Sequence, residues 1–308
     1  MNKHTAVAIF FLFASLRLGS AFEWPLDRVI LTASFAESRG DHFHSGIDLG
    51  GGEQPVRPIA AGELVFSYEE HRDYTSVPTG LGNFIVLQHE GAIRSSYSHL
   101  KQSGEDAGKV IFDVDETLGL VGDTGYSLGR HLHLSIIDSE MSTVINPLLL
   151  LPPLTDTGAP IIRNLYLSDG KELIMLQRET VLDAGQVTGK GLEVLAAIYD
   201  LREDVSFIWK LAPYKIFLYQ DGKEISSYVF DSLHEYRQDA ATPPAGAKGL
   251  NGALVLLDSS LSHGEVYSDL WLFRIGRIKT APGETTLQIV CSDFSGNESS
   301  KEILLTIK

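Results

Sequence analysis

The sequence predicts a mainly β chain in two parts: an antiparallel β-sheet or barrel-like domain, then a β-sandwich. Short apolar or alternating runs recur along the 308 residues, separated by turns rich in Gly and Asp. No heptad pattern or internal repeat competes with them. The length suggests two domains, and Leu151-Pro152-Pro153 followed by Thr-Asp-Thr-Gly supplies a stiff, polar boundary between them.

Residues 1–21 have Lys3 near the start, an apolar stretch Ala6–Leu16 and the small residues Gly19-Ser20-Ala21. That is the form of a secretory leader cleaved after Ala21, and the apolar stretch falls short of the ~20 residues that span a bilayer. No cysteine lies near the cleavage point. No later segment is long and apolar enough to cross a membrane, so no span is expected after leader removal. Residues 22–150 then form the first domain, 151–160 a linker and 161–308 the second domain.

In the first domain the strand candidates are Val29–Phe35, Gly62–Tyr68, Asn83–Gln88, Ile93–Tyr97, Thr117–Val121 and His131–Ile137. Glu69–Leu81, polar and holding Pro78 and Gly80, reads as an exposed loop, and Gln102–Lys109 as a short helix or turn. The second domain offers Ile161–Leu167, Glu172–Gln177, Glu193–Tyr199, Tyr214–Tyr219, Ser227–Phe230, Ala253–Leu257, Asp269–Ile275, Thr286–Cys291 and Glu302–Ile307. Turns such as Gln220-Asp221-Gly222-Lys223 separate them in the pattern of a sandwich. Residues 231–252, with Pro243-Pro244, read as an insertion.

Formal charge is −15, and two units more negative once Lys3 and Arg17 leave with the leader. This argues against nucleic acid and against an anionic membrane surface as partners. Cys291 is the single cysteine, so no intramolecular disulfide can form and the core must supply the stability.

Candidate chemistry gathers in three places. Gly40–Gly52 contains His44 and Asp48, an imidazole and a carboxylate of the kinds that bind zinc. On a regular strand they would lie roughly 13 Å apart. A sharp fold at Ser45-Gly46, with glycine giving backbone freedom, would bring them together. His131-Leu132-His133-Leu134-Ser135 alternates, so His131, His133 and Ser135 share one strand face while the leucines point into the core. The two imidazoles sit about 6.6 Å apart along it, which suits one ligand with a neighbour beside it. Tyr97-Ser98-His99-Leu100 ends another predicted strand and offers a further imidazole.

His-x-x-x-Asp, Tyr-Ser-His-Leu and His-x-His, in this order, resemble the lysostaphin/LytM-like zinc metalloendopeptidases. Pro55–Gly62, Gly82–His89 and Gly122–Gly129 add to the likeness, which covers residues 24–148. The ending Val290–Glu298 looks like the last hairpin of bacterial immunoglobulin-like modules. By the first resemblance, His44, Asp48 and His133 are the Zn2+ ligands and His99 and His131 the two catalytic histidines. The implied activity is that of an exported peptidase cutting peptidoglycan stem peptides or cross-bridges in the periplasm or cell envelope. The second domain would serve as a spacer or dock an envelope protein partner. The rival reading is a non-catalytic envelope scaffold or amidase activator; such proteins usually lack one or more of the five residues, all present here.

Some members carry a tyrosine upstream of the first ligand. Phe35–Phe43 has none, and Arg39 is the candidate substitute. Arg130 stands where the family's proline precedes His131. His42 forms a second His-x-His with His44 but reads as a supporting or exposed residue. His71 and His89 read as surface residues, His234 and His263 as non-catalytic, and Trp24 as a packing residue.

Overall fold

The computed structural model describes residues 22–37, 43–70, 79–103, 108–169, 172–187, 191–202, 209–234 and 272–308. The expected leader, Arg39, His42, His71, His263 and the strand at Ala253–Leu257 lie outside the described residues, as do parts of the expected loop, turn and insertion. Among the described residues there is no α-helix, and no helix is long and apolar enough to cross a membrane.

The first domain contributes β1 Ile30–Ala33, β2 Ile47–Gly50, β3 Pro55–Val56, β4 Gly62–Tyr68, β5 Asn83–Gln88, β6 Ile93–Ser103, β7 Ile111–Phe112, β8 Gly119–Val121, β9 Leu132–Asp138 and β10 Thr143–Ile145. They make one sheet in the order β1-β2-β9-β6-β5-β4-β7, with β10 also on β9, and β8 bridging β3 and β6. Every pairing is antiparallel. β5 shows why the chain folds so: Ile85 and Leu87 are buried, while Phe84, Val86 and Gln88 on the other face are partly covered. Their partners in the core are Ile47, Leu49, Tyr97, Leu132, Leu134 and Ile136.

The second domain contributes β11 Ile161–Ser168, β12 Leu173–Leu176, β13 Glu179–Leu182, β14 Leu192–Leu201, β15 Lys210–Leu211, β16 Lys215–Gln220, β17 Lys223–Val229, β18 Ser232–His234, β19 Leu272–Ile278, β20 Gly283–Ser292 and β21 Glu298–Ile307. One sheet runs β12-β11-β14-β15 with β19 on β14; the other runs β13-β21-β20-β16-β17. β19 of the first sheet packs on β16 and β17 of the second, and β11 on β21, so the two sheets face each other as a sandwich, with Leu165, Val194 and Ile198 from one and Ile216, Ile289 and Leu305 from the other buried. Asp221 and Gly222 both take the left-handed conformation, φ 50° and 73°, which the two-residue turn between β16 and β17 requires. Cys291 is buried and free.

β18 does not belong to the sandwich. It extends the first domain's sheet by pairing with β10, Ile145 opposite Ser232. Asn146 adds to this joint, its N–H donating to Asp231 O and its side-chain amide to Phe230 O at 2.9 Å. The expected linker is likewise pinned, because Thr155 O accepts from Arg202 and Asp156 O from Asn297.

Candidate metal centre

Three neighbouring strands set the floor of the site. In β9, His133 stands opposite Asp48 of β2 on one side and Ser98 of β6 on the other. Residues directly opposite in a sheet share a face, so Asp48 and His133 project together, away from the core side that holds Leu132 and Leu134. His44 arrives from the segment before β2. Its N–H donates to Glu37 O, its carbonyl accepts from Ala36 N–H, and its Nδ1 donates to Ser34 O at 2.7 Å.

Three side-chain atoms then converge. His44 Nε2 lies 3.0 Å from Asp48 Oδ1 and 3.0 Å from His133 Nδ1, which lies 2.9 Å from the same carboxylate oxygen. Because Nδ1–H of His44 is committed to a carbonyl, its Nε2 presents a lone pair. Ser135 Oγ, 2.9 Å from His133 Nε2, can accept that ring's proton and leave Nδ1 as a second lone pair. Lone pairs facing each other at this distance suit a shared cation. Ligands about 2.0–2.1 Å from a tetrahedral zinc are roughly 3.3 Å apart, close to the spacing found. Two imidazoles and a carboxylate, with their outer ring nitrogens oriented by Ser34 and Ser135, fit a divalent transition metal. The Asp48 carboxyl fits too: burial works to raise its pKa, but where the facing ring nitrogens carry protons, hydrogen bonds from His133 and His44 hold it well below the usual carboxylate range, and a shared cation would take the place of those protons.

Gly46 is needed here for proximity and not for a special φ. A Cβ on it would lie 2.4 Å from Leu134 O and 2.9 Å from the His133 ring. The sharp fold predicted at Ser45-Gly46 thus owes its glycine to close packing against β9.

His99 and His131 stand beside this trio, their ring centroids 4.7 Å apart and His99 6.0 Å from His133. His99 does not end its strand, as the sequence suggested; β6 continues to Ser103. Asn83 pairs with Leu100 and Ile85 with Tyr97, so Ser98 and His99 together oppose one residue of β5. This bulge, with His99 at φ 62°, re-aims a side chain that regular alternation would place on the face of buried Tyr97. Thr124 fixes the result, its carbonyl accepting from His99 Nδ1 at 2.8 Å and its hydroxyl donating to Leu100 O. Burial lowers the His99 pKa to about 4; the Thr124 carbonyl opposes this, His131 and His133 add to it, and Asp48 opposes it. The ring is therefore neutral near pH 7. His131 lies just before β9, bridged to Gly122, where any Cβ would collide with Lys101 N at 2.2 Å. Its Nδ1 donates to Gly129 O at 2.7 Å and its Nε2 lies 3.7 Å from Asp48 Oδ1.

The other candidates go elsewhere. His89, expected at the surface, is buried: Ala61 O and Ser95 Oγ take its two ring nitrogens, and Phe22 packs edge-on against it. The polar run after β5 hides this, because the covering groups come from distant parts of the chain. Trp24 packs against the core, and Arg130 is exposed beside Glu53. Ser34, Thr124 and Gly129 were missed as supports. Thr124 and Gly129 fall within the glycine-rich motif already noted, whereas Ser34 carries no sequence signal. A second acidic group, Asp156, Asp200 and Asp293, has carboxylate oxygens within 4.8 Å of one another. It belongs to the second domain and its linker, outside this site.

Residues 42–147 match the family model described as Peptidase family M23, and residues 159–308 match a second family model that carries no description. The DD-carboxypeptidase/endopeptidase Mpg of Neisseria meningitidis is 31% identical over 115 residues, 37% of this chain and 24% of that protein. An uncharacterized metalloprotease of Haemophilus influenzae is 33% identical over 79 residues, 26% of this chain and 16% of that protein. This chain therefore spans about a quarter or less of those two relatives. Among solved structures, a zinc containing peptidase from Vibrio cholerae is 24% identical, with 39% of this chain and 37% of that one covered and a TM-score of 0.33.

Proposed function

That residues 42–147 are a Peptidase family M23 domain is the premise from which we propose an exported zinc metalloendopeptidase acting on peptidoglycan stem peptides or cross-bridges. The observation that carries the reading is the convergence of His44 Nε2, Asp48 Oδ1 and His133 Nδ1 within hydrogen-bond distance, with two more imidazoles alongside. These three side chains would hold the ion. Zinc, when bound, supplies a Lewis acid that polarises a carbonyl and lowers the pKa of a water.

The remaining work falls to the chain's own groups. His99 and His131 both commit Nδ1–H to backbone carbonyls, of Thr124 and Gly129. Nε2 is then the atom of each ring free to take a proton from the attacking water, hold the developing oxyanion once protonated, or pass the proton to the leaving amine. Asp48 Oδ1 lies 3.7 Å from His131 Nε2, which places that ring beside the three converging side chains.

In this reading the leader at residues 1–21 directs the chain to the periplasm or cell envelope, and the second domain docks an envelope partner or spaces the peptidase from it. The test is digestion of purified peptidoglycan with mass analysis of the products. New peptide ends that vanish with chelator and in His131→Ala support the endopeptidase. A protein that loads zinc but leaves every wall type intact would overturn the wall substrate in favour of a protein substrate or a partner-activated enzyme, and one that neither holds zinc nor cleaves would favour the non-catalytic scaffold.

A further inference from the structure

The turn that holds His44 is itself held from the second domain. All three bonds that fix His44 in place, apart from those to Asp48 and His133, go to Ser34–Glu37. Ala36 in this turn has φ 64°, an uncommon conformation for a residue with a side chain, which persists only where surrounding structure enforces it. The enforcement runs through the Ser34 hydroxyl. It accepts a 2.7 Å bond from the backbone N–H of Ala212 and donates to Glu37 Oε1 at 3.1 Å. The same carboxylate oxygen accepts from Ser34 N–H. Ser34, Glu37 and Ala212 are all buried, so leaving one of these groups unpaired is costly.

Ala212 follows β15, which pairs with β14 in the sandwich. One side chain thus connects a sandwich sheet to the carbonyl that orients the His44 ring. A cavity of about 310 Å³ borders this joint, lined by Ser34, Phe35 and Ala212 together with Asp200, Tyr214 and Phe294. Where a void replaces packed atoms, those contacts are lost, so the directional bonds at Ser34 carry more of the local spacing, beside the β10–β18 pairing and the Asn146 bonds on the other side of the cavity.

We infer that Ser34 is a positioning residue through which the second domain sets the orientation of His44 and thereby the affinity of the metal centre. This rests on the reading of His44 as a ligand. Groups that orient a ligating histidine typically affect metal affinity by about 10–100-fold.

The test is zinc affinity of the full mature chain, measured by competition with a chromophoric chelator, for wild type, Ser34→Ala, Ser34→Thr and Leu287→Ala. Ser34→Ala keeps the backbone carbonyl that His44 uses and removes only the hydroxyl link. Its zinc affinity is expected to fall about tenfold. Ser34→Thr, whose extra methyl has the cavity to enter, is expected to restore it. Leu287→Ala, a core deletion in the sandwich, is expected to lower the thermal midpoint without weakening zinc. If Ser34→Ala does not accumulate, Ser34→Cys, with its weak hydrogen-bonding thiol, gives the same comparison. Wild-type affinity in the Ser34 variant, or equal weakening by Leu287→Ala, would overturn the inference while leaving the metal centre intact. A wild-type chain that binds no zinc would instead remove the metal reading on which it rests.

Discussion

Asp48 and His133 face each other across adjacent antiparallel strands, Asp48 Oδ1 and His133 Nδ1 2.9 Å apart. Their spacing is therefore set by β-sheet register. His44 completes the trio from the segment before β2, held against the turn at Ser34–Glu37, and the catalytic candidates come from a bulge and a strand entry.

Replacing Asp48 with Asn keeps the shape but removes the charge that offsets two imidazoles and a cation. Zinc affinity is expected to fall by at least tenfold in chelator competition, against a background of 10–100-fold effects for lesser supporting groups. Unchanged affinity would exclude Asp48 as a ligand.

His99→Ala is expected to retain zinc and to lose most of the turnover, by a factor of about 10²–10⁴ if His99 handles a proton. The two measurements are separable, since His99 Nδ1 is tied to Thr124 O and the ring belongs to no converging trio. Normal cleavage rates in this variant would remove His99 from the mechanism.

Gly46→Ala places a methyl 2.4 Å from Leu134 O, a backbone atom of a central strand that cannot yield cheaply. The thermal midpoint is expected to drop, with a stability loss of about 1–3 kcal/mol, and zinc binding to weaken because the same methyl presses on the His133 ring. A variant with wild-type midpoint and affinity would contradict this packing.

Asp200 has its pKa raised to about 7, first by burial and then by Asp156 and Asp293, against the pull of Leu201 N–H and Arg202. A folded-state pKa above the unfolded value of ~3.9 means that the folded chain holds this proton more tightly. The contribution to stability is complete below pH ~4 and is lost as pH rises through about 7. Asp200→Asn, a neutral isostere that can still accept from Leu201, is expected to gain much more stability over wild type at pH 8 than at pH 4.5. Denaturant titrations at both pH values measure this; a gain of equal size at both would contradict it.

Much of the sheet was legible because alternation is a local signal: β4 and β5 lie where the apolar pattern places them, residue for residue. Most short elements were not, although β1, β8 and β12 fall within the expected runs. β2, β3, β7, β10, β13, β15 and β18 have two to four residues each, too few for a period to declare itself, and they exist through the strands they meet. β18 could not be read as part of the first domain's sheet, since the pairing joins residues from opposite sides of the linker. The five candidate residues stood out as His and Asp at spacings that resemble a family pattern, and the structure brings them side by side. The bulge that turns His99, the contact that demands Gly46 and the hydroxyl of Ser34 were not, because each depends on atoms remote in sequence.

The most direct measurement is zinc stoichiometry of the purified mature chain by atomic emission, with His133→Ala beside it. The account predicts one zinc per chain in wild type and essentially none in the variant, with the variant still folded by circular dichroism. A wild-type chain free of zinc after exposure to it, or a variant that retains a full equivalent, would contradict the claim that His44, Asp48 and His133 form a metal centre.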